Sequence, residues 1–306
     1  MLQILYGRKC IFSEISEQIN RGVTDQILIV PQHYSHEAER RLCEVCGDSA
    51  ALYCEVLTIK RLADRVFGIE GGLAGHVLDE SGRLLAMKLA ASSVSGKLKT
   101  FGAQINRPEY LQGLVAVVDE FKTYGISCEQ LAKAVEEDTD LSGGKLEDIS
   151  LIYSAYDAVL GQNVKDSADL PARLIEKLES GSYAEGKTFY IDSFTEFTPQ
   201  EFAIVEVLLK KSTKLTVVFD VDPSLIDITA HTDSAFYGYV KSIERLRRSA
   251  KSFGIPVIEE SRVQAEASDS RPDCIDFLRS NLFGDKVPQY DGECNAISLH
   301  TAADRW

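Results

Sequence analysis

Short, unbroken apolar runs, each leading into a stretch with helical spacing, set the architecture open to this chain. LQILY (2–6) precedes IFSEISEQINRG, where Ile11, Ile15 and Ile19 recur at helical intervals before Gly22. ILIV (27–30) is closed by Pro31 and followed by SHEAERRLCEVCG, which Gly47 ends. YCEVLTI then precedes RLADRVFG, with Leu62, Ala63, Val66 and Phe67 on one side. A strand without polar alternation has no solvent face, so it must be covered on both sides, as the strands of a parallel sheet are. This alternation predicts an α/β fold built on a doubly wound parallel sheet.

From about residue 73 the strand signals vanish for roughly a hundred residues. DESGRLLAMKLAASS, PEYLQGLVAVVDEFKTYG, SCEQLAKAVEE, KLEDISLIYSAYDAVLG and DLPARLIEKLES all carry apolar residues three and four apart, the mark of amphipathic helices. The expected organisation is an α/β domain made of residues 1–72 and 184–306, interrupted by a helical insertion over 73–183. Strands return at TFYIDSF (188–194) and LTVVFDVD (215–222). Between them, Thr198 as N-cap, Pro199 as first helical residue and Glu201 three positions after the cap spell a capping box. SAFYGYVKSIERLRRSAKSFG reads as a long helix, PVIEE as an edge strand, CIDFLRSNLF as a helix and AISLHTA as a last strand. A βα unit would ordinarily continue past that strand, so further sequence is expected beyond Trp306.

Charge bears on the partners. With 33 Lys and Arg against 47 Asp and Glu the net charge is −14. Affinity for nucleic acid rests on neutralising phosphates, so any DNA contact is expected to be a local groove within a larger assembly. No apolar run approaches the roughly 20 residues needed to span a bilayer. MLQILYG lacks the charged flank and cleavage site of a signal peptide, so a cytoplasmic location and no membrane partner are expected. Seven scattered cysteines predict reduced thiols. Cys43 and Cys46, with Cys54 beyond, have metal-like spacing but lie on a helical pattern without a fourth ligand, and no metal site is expected.

Gly7, after the first strand, stands where a phosphate-binding loop would begin. Such a loop needs G-x-x-x-x-G-K-[ST]: glycines let backbone N–H groups surround the phosphates, the lysine reaches the β and γ groups, and the hydroxyl holds magnesium. Aligned on Gly7, the second glycine is Phe12, the lysine Ser13 and the hydroxyl residue Glu14. Three of the four essential positions fail, and taken alone this is an ordinary strand-to-helix turn. Asp192 ends a buried strand, where α/β proteins place ligand groups, but its neighbour Ser193 is no second acid to polarise water.

PQHYSHEAERR places His33, Tyr34, Ser35 and His36 at a strand-to-helix junction, with Ser35 a candidate N-cap; backbone contact with nucleic acid and a purely structural role stand equal there. Lys60, Arg61 and Arg65 fall at the same sheet edge, Arg61 and Arg65 on one helix face. Arg245, Arg247, Arg248 and Lys251 read as a solvated helix face, and no G-x-S-x-G or comparable nucleophile context occurs.

Six segments in this order, ILIVPQHYSHEAERRL, VLTIKRLADRVF, LDESGRLL, DEFKTYGIS, KLEDISLIYSAYDAVL and FYIDSFTEFTPQEF, resemble the N-terminal region of the AddB family. AddB proteins are the second subunits of bacterial AddAB ATP-dependent helicase-exonucleases, which process broken DNA ends for recombination. The resemblance spans almost the whole chain and implies a P-loop NTPase-like, superfamily 1 helicase-like sheet that has lost motor function. It also implies that GRKCIFSE is a decayed form of a GRxGSGK[ST] loop. The degenerate nucleotide site would comprise Gly7, Arg8, Ser13, Glu14 and Asp192, with no catalytic residue, ATP and magnesium binding in doubt, and hydrolysis left to an AddA-type helicase-nuclease subunit. In related proteins this fold scans single-stranded DNA for a recombination hotspot. The matching positions here are Tyr34, Ser35, Thr58, Arg61 and Phe197, where hydroxyls and guanidinium suit phosphate or base contacts and Phe suits stacking. His33 and Asp64 stand where relatives carry an amide and an aromatic, which puts hotspot reading in question. The family's nuclease and iron–sulfur cysteines are expected only downstream. Two other readings stay open: a working P-loop ATPase with an atypical loop, and an architectural domain whose insertion docks the partner subunit.

Overall fold

The computed structural model describes residues 1–7, 10–72, 76–137, 144–161, 164–221, 236–261, 272–282, 288–298 and 300–301. Strand β1 (Leu2–Tyr6) leads into α1 (Cys10–Asn20), β2 (Gln26–Ile29) into α2 (Ser35–Cys46) and β3 (Cys54–Leu57) into α3 (Ile59–Glu70). Then come β4 (His76–Val77), helices α4 (Glu80–Ser93), α5 (Pro108–Thr123), α6 (Cys128–Glu137) and α7 (Lys145–Leu160), β5 (Val164–Lys165) and α8 (Leu170–Ser180). The chain continues through β6 (Thr188–Ile191), α9 (Pro199–Lys211), β7 (Lys214–Phe219), α10 (Tyr237–Ser252), β8 (Val257–Ser261) and α11 (Asp273–Asn281).

The large sheet has six strands in the order β3-β2-β6-β7-β1-β8, every pairing parallel. Chain direction across it reverses: β2 and β3 lie to one side of β1, and β6, β7 and β8 return past it, so the turn after β1 sits beside a topological switch point. Alternation along each strand sorts the core into two layers. Leu2, Ile4, Ile27, Ile29, Phe189, Ile191, Leu215, Val217 and Phe219 meet α3, α8, α9 and α10. Leu5, Leu28, Val30, Val56, Tyr190 and Val218 meet Ile11, Phe12 and Ile15 of α1 and Ala38 and Leu42 of α2. Each large apolar side chain so covered contributes about 1.5–3 kcal/mol, and polar residues within the strands are buried in hydrogen-bonded pairs, the Thr216 hydroxyl donating to Gln3 at 3.2 Å and the Tyr190 hydroxyl to Gln26 at 2.7 Å. The α/β class read from the runs is the class observed.

The capping box at α9 forms as its spelling demands. The Glu201 N–H donates to the Thr198 hydroxyl at 3.2 Å and the Thr198 N–H to the Glu201 carboxylate at 2.9 Å. PVIEE is indeed an edge strand, β8. AISLHTA is not a strand in its described residues, 296–298 and 300–301. Conversely, β4 and β5 pair in parallel, His76 with Val164 and Val77 with Lys165, where no strand was expected. Two residues are too few to show any periodicity.

Helices α4 to α7 share a separate core that includes Met87, Ala90, Leu111, Leu114, Ile152 and Tyr156. At its margin Asp166, fully buried, accepts hydrogen bonds from Lys122 (3.0 Å), the Tyr156 hydroxyl (3.0 Å) and the Ala168 N–H (3.1 Å), and the Arg83 guanidinium lies 2.7 Å away. Burial alone would raise this carboxyl, but the Ala168 N–H and the Lys122 and Arg83 charges hold it below the usual range. Helix α8 packs elsewhere: Leu174 and Leu178 enter the sheet core. Among the described residues no helix is long and apolar enough to cross a membrane.

Candidate functional site at the carboxyl edge of the sheet

Because all six strands run parallel, the residues that follow them gather along one edge, where α/β folds place their ligands. At the end of β1 the residues do not fit a triphosphate. The Gly7 N–H, at a φ of 127° that favours glycine, donates to the Phe219 carbonyl at 3.0 Å and so extends the β1–β7 ladder. Phe12, where the second glycine would be, is buried in the layer between α1 and the sheet. Ser13 is exposed and brings no ammonium group. Glu14 is 3% exposed and accepts from Lys214 at 2.7 Å and from Gln18 at 3.2 Å. Lys214 opens β7, so this carboxylate is drawn toward the opposite edge of the sheet, away from where phosphates would sit. Arg8 lies outside the described residues.

The end of β6 is different. Asp192 is 8% exposed; its N–H donates to the Ile29 carbonyl at 3.1 Å and its Oδ1 accepts from the Ser193 N–H at 2.8 Å. Burial raises its pKa to about 6, the Ser193 N–H pulls the other way, and nearby Asp220 adds to the rise while Arg41 opposes it. Ser193 holds a φ of 65°, a left-handed conformation that costs a non-glycine residue energy. Tyr34 is half-buried, and its hydroxyl is shifted up by burial and then by the charge of Asp192. Sequence reading found Tyr34 and Asp192 but missed Ser193's backbone and the approach of Arg41 from α2. The Asp-Ser pair after an apolar run was the only signal for the first, and helical spacing from Tyr34 the only one for the second.

The remaining residues divide between fold and surface. Ser35 is not an N-cap: a short 3₁₀ turn over Gln32–Tyr34 runs straight into α2, so Ser35 is already helical and its hydroxyl donates back to the Gln32 carbonyl at 3.1 Å. Thr58 is the N-cap of α3, buried, its hydroxyl accepting from the Arg61 N–H at 3.2 Å. The Arg61 side chain is exposed and paired with Glu39 of α2 at 2.6 Å. Arg65 pairs with Glu55. Both arginines border a groove of about 620 Å³ along the open edge of β3, which also takes in Leu42, Leu52 and Ile69.

Phe197 is not placed to stack on a base. Its ring is 7% exposed, stacked on Phe194 at 5.1 Å and set edge-on to Phe202 at 6.2 Å, within the sheet core. An aromatic in a loop reads alike whether it faces solvent or plugs the core above a helix start. The basic face expected on α10 is also partly claimed: Arg245 lies over the Phe202 ring at 3.8 Å and Arg247 pairs with Glu259 at 2.7 Å. Among the described residues no three His, Cys, Asp or Glu side chains come together as a metal would require.

The family model described as "ADDB, N-terminal" matches residues 7–277. The chain is also similar to the B subunits of bacterial ATP-dependent helicase/deoxyribonucleases. It is 30% identical over 315 residues to that of Caldanaerobacter subterraneus subsp. tengcongensis, an alignment covering 100% of this chain and 27% of that protein. The corresponding protein of Thermoanaerobacter sp. (strain X514) is 30% identical over 99% of this chain and 27% of its own length, and that of Clostridium tetani 31% identical over 71% and 20%. The chain thus spans about a quarter of the length of these relatives. With the family model matched across both the switch-point turn and the β6 edge, the chain belongs to the AddB family and represents its N-terminal region.

Proposed function

We propose that this chain supplies a non-catalytic, helicase-like domain that binds and scans single-stranded DNA within a two-subunit helicase-nuclease acting on broken DNA ends. The observation that carries the reading is the end of β1, where Phe12 fills core and Glu14 is tied to Lys214 in place of a glycine and a magnesium-binding hydroxyl. A sheet that keeps the translocase layout without phosphate-binding groups suits recognition rather than hydrolysis. Similarity to one subunit of ATP-dependent helicase/deoxyribonucleases supports a role beside a motor subunit of AddA type. Tyr34, Ser35 and Arg61 line the edge offered to the strand, and Thr58 fixes the helix that carries Arg61.

Equilibrium titration of the full-length protein with labelled ATP and magnesium tests the first half of this reading. No saturable binding in the micromolar range is expected; micromolar affinity abolished by changes in the Gly7–Glu14 turn would establish a working ATPase instead. Pairing of Arg61 and Arg65 with carboxylates favours a second reading, an architectural domain whose helical layer docks the partner. Deleting residues 76–165, which spares α8 and its place in the sheet core, separates the two: DNA binding that survives the deletion excludes docking as the whole role.

A further inference from the structure

The lateral edge of the sheet at β3 is open: among the described residues no strand pairs with β3 on the side away from β2. The Tyr53 and Leu57 carbonyls accept from the Gln26 and Val30 N–H groups at 3.0 Å each, so alternation turns the N–H and C=O groups of Cys54 and Val56 outward. The side chains of both residues are buried on the α2 side, which leaves their backbone as what the edge offers. Helices α2 and α3 cover opposite faces of the sheet, and between them β3 forms the floor of the groove of about 620 Å³. Toward the amino end of β3 that groove carries Leu52, 81% exposed, and Ile69 in the last turn of α3, 67% exposed. At the other end the Arg61–Glu39 pair joins α3 to α2, so the groove lies beside the end proposed above to face DNA and is a separate surface.

We propose that this groove is an interaction surface that takes an extended segment of the partner subunit, paired along β3 as a further strand of the sheet. The inference rests on the reading above, in which the chain works beside a second subunit. Hydrogen bonding selects the occupant: donors and acceptors repeating two residues apart are matched by an extended peptide backbone and not by a nucleic-acid strand. Charge agrees. Asp25, Glu39 and Glu55 in the lining are balanced by Arg61, Arg65 and Lys187, so the groove gives a polyanion no net attraction, while the −14 of the chain draws a segment with basic flanks. A second copy pairing edge to edge does not fit, because its β3 is recessed between two helices in the same way and two recessed edges do not meet. Side chains of the incoming strand alternate, one set meeting Leu42 and Cys43 on the α2 side and the other Ile69 on the α3 side.

Hydrogen–deuterium exchange of the full-length protein, alone and assembled with its partner subunit, tests this at single amides. In the free chain the Glu55 and Leu57 N–H groups, which face β2, should already be slow, and those of Cys54 and Val56 fast. On assembly the Cys54 and Val56 amides should slow by about a hundredfold. Leu52→Glu with Ile69→Glu, both at exposed positions, should weaken assembly by about tenfold and leave the unfolding midpoint in place. An assembled complex in which Cys54 and Val56 still exchange as in the free chain overturns the proposal and leaves the two-subunit reading standing. Failure to assemble at all removes that reading and the proposal with it. Slow exchange at both positions before the partner is added also overturns the proposal, since another segment of the same chain then holds the edge.

Discussion

At the end of β1 the Gly7 amide is taken up by Phe219, the ring of Phe12 by the core and the carboxylate of Glu14 by Lys214. At the end of β6, with β7 between, Asp192 is buried, raised to about 6, and set beside a strained Ser193 and the Tyr34 hydroxyl. Both are positions where an α/β fold commonly places ligand groups. At the first these groups are committed to packing and pairing, while the second keeps a buried carboxyl that titrates at about 6. Replacing Phe12 with glycine would open a core cavity costing about 3–5 kcal/mol, so the β1 end is held in its present form by packing.

Glu14→Ala should have the largest effect on the β1 end. It leaves the Lys214 ammonium largely buried without the carboxylate 2.7 Å away, a situation that typically costs about 3–5 kcal/mol. Denaturant unfolding should show that loss, and Glu14→Ala combined with Lys214→Met should recover most of it. A single substitution that leaves the unfolding midpoint unchanged would mean the Glu14–Lys214 pair does not hold the β1 end.

At the β6 end the informative substitution is Asp192→Asn. The folded pKa, about 6, lies above the ordinary 3.8, so the contribution of the protonated form is full below about 3.8 and lost as pH rises through about 6. At pH 7 the native chain bears the cost of a buried charge, and the amide variant should be more stable by up to about 3 kcal/mol. The gain should shrink to nothing on acidification through that window, because Asn can still accept from the Ser193 N–H. A pH-independent difference would place the effect in packing rather than in titration.

Much of the frame was legible because it depends on patterns that survive without neighbours. Unbroken apolar runs give two-sided strands, and Thr198, Pro199 and Glu201 write their capping box locally. What sequence could not show depends on the partner met across the fold. Glu14 reads as a failed hydroxyl until Lys214, two hundred residues away, is brought beside it. Phe197 reads as a stacking platform until Phe194 and Phe202 are seen to cover it. Ser35 reads as a cap because nothing in the sequence announces the 3₁₀ turn that carries helical geometry past it.

Arg61→Ala should have the smallest effect on stability and the clearest one on function. Its pairing with Glu39 is solvent-exposed on both sides, and such pairs contribute about 0–1 kcal/mol, so unfolding should scarcely change. If Arg61 gives up Glu39 for a phosphate when single-stranded DNA arrives, the variant should lose affinity in the assembled complex. Its dependence of log K on log salt should flatten by about 0.7, the share of one single-strand phosphate contact. Glu39→Gln supplies the opposite arm. Freed from its carboxylate, Arg61 would be available to phosphate from the start, and affinity should rise with the salt slope unchanged. If both variants bind like the native protein, the β3 edge is a surface for protein alone, and the proposed DNA-facing role of Arg61 fails.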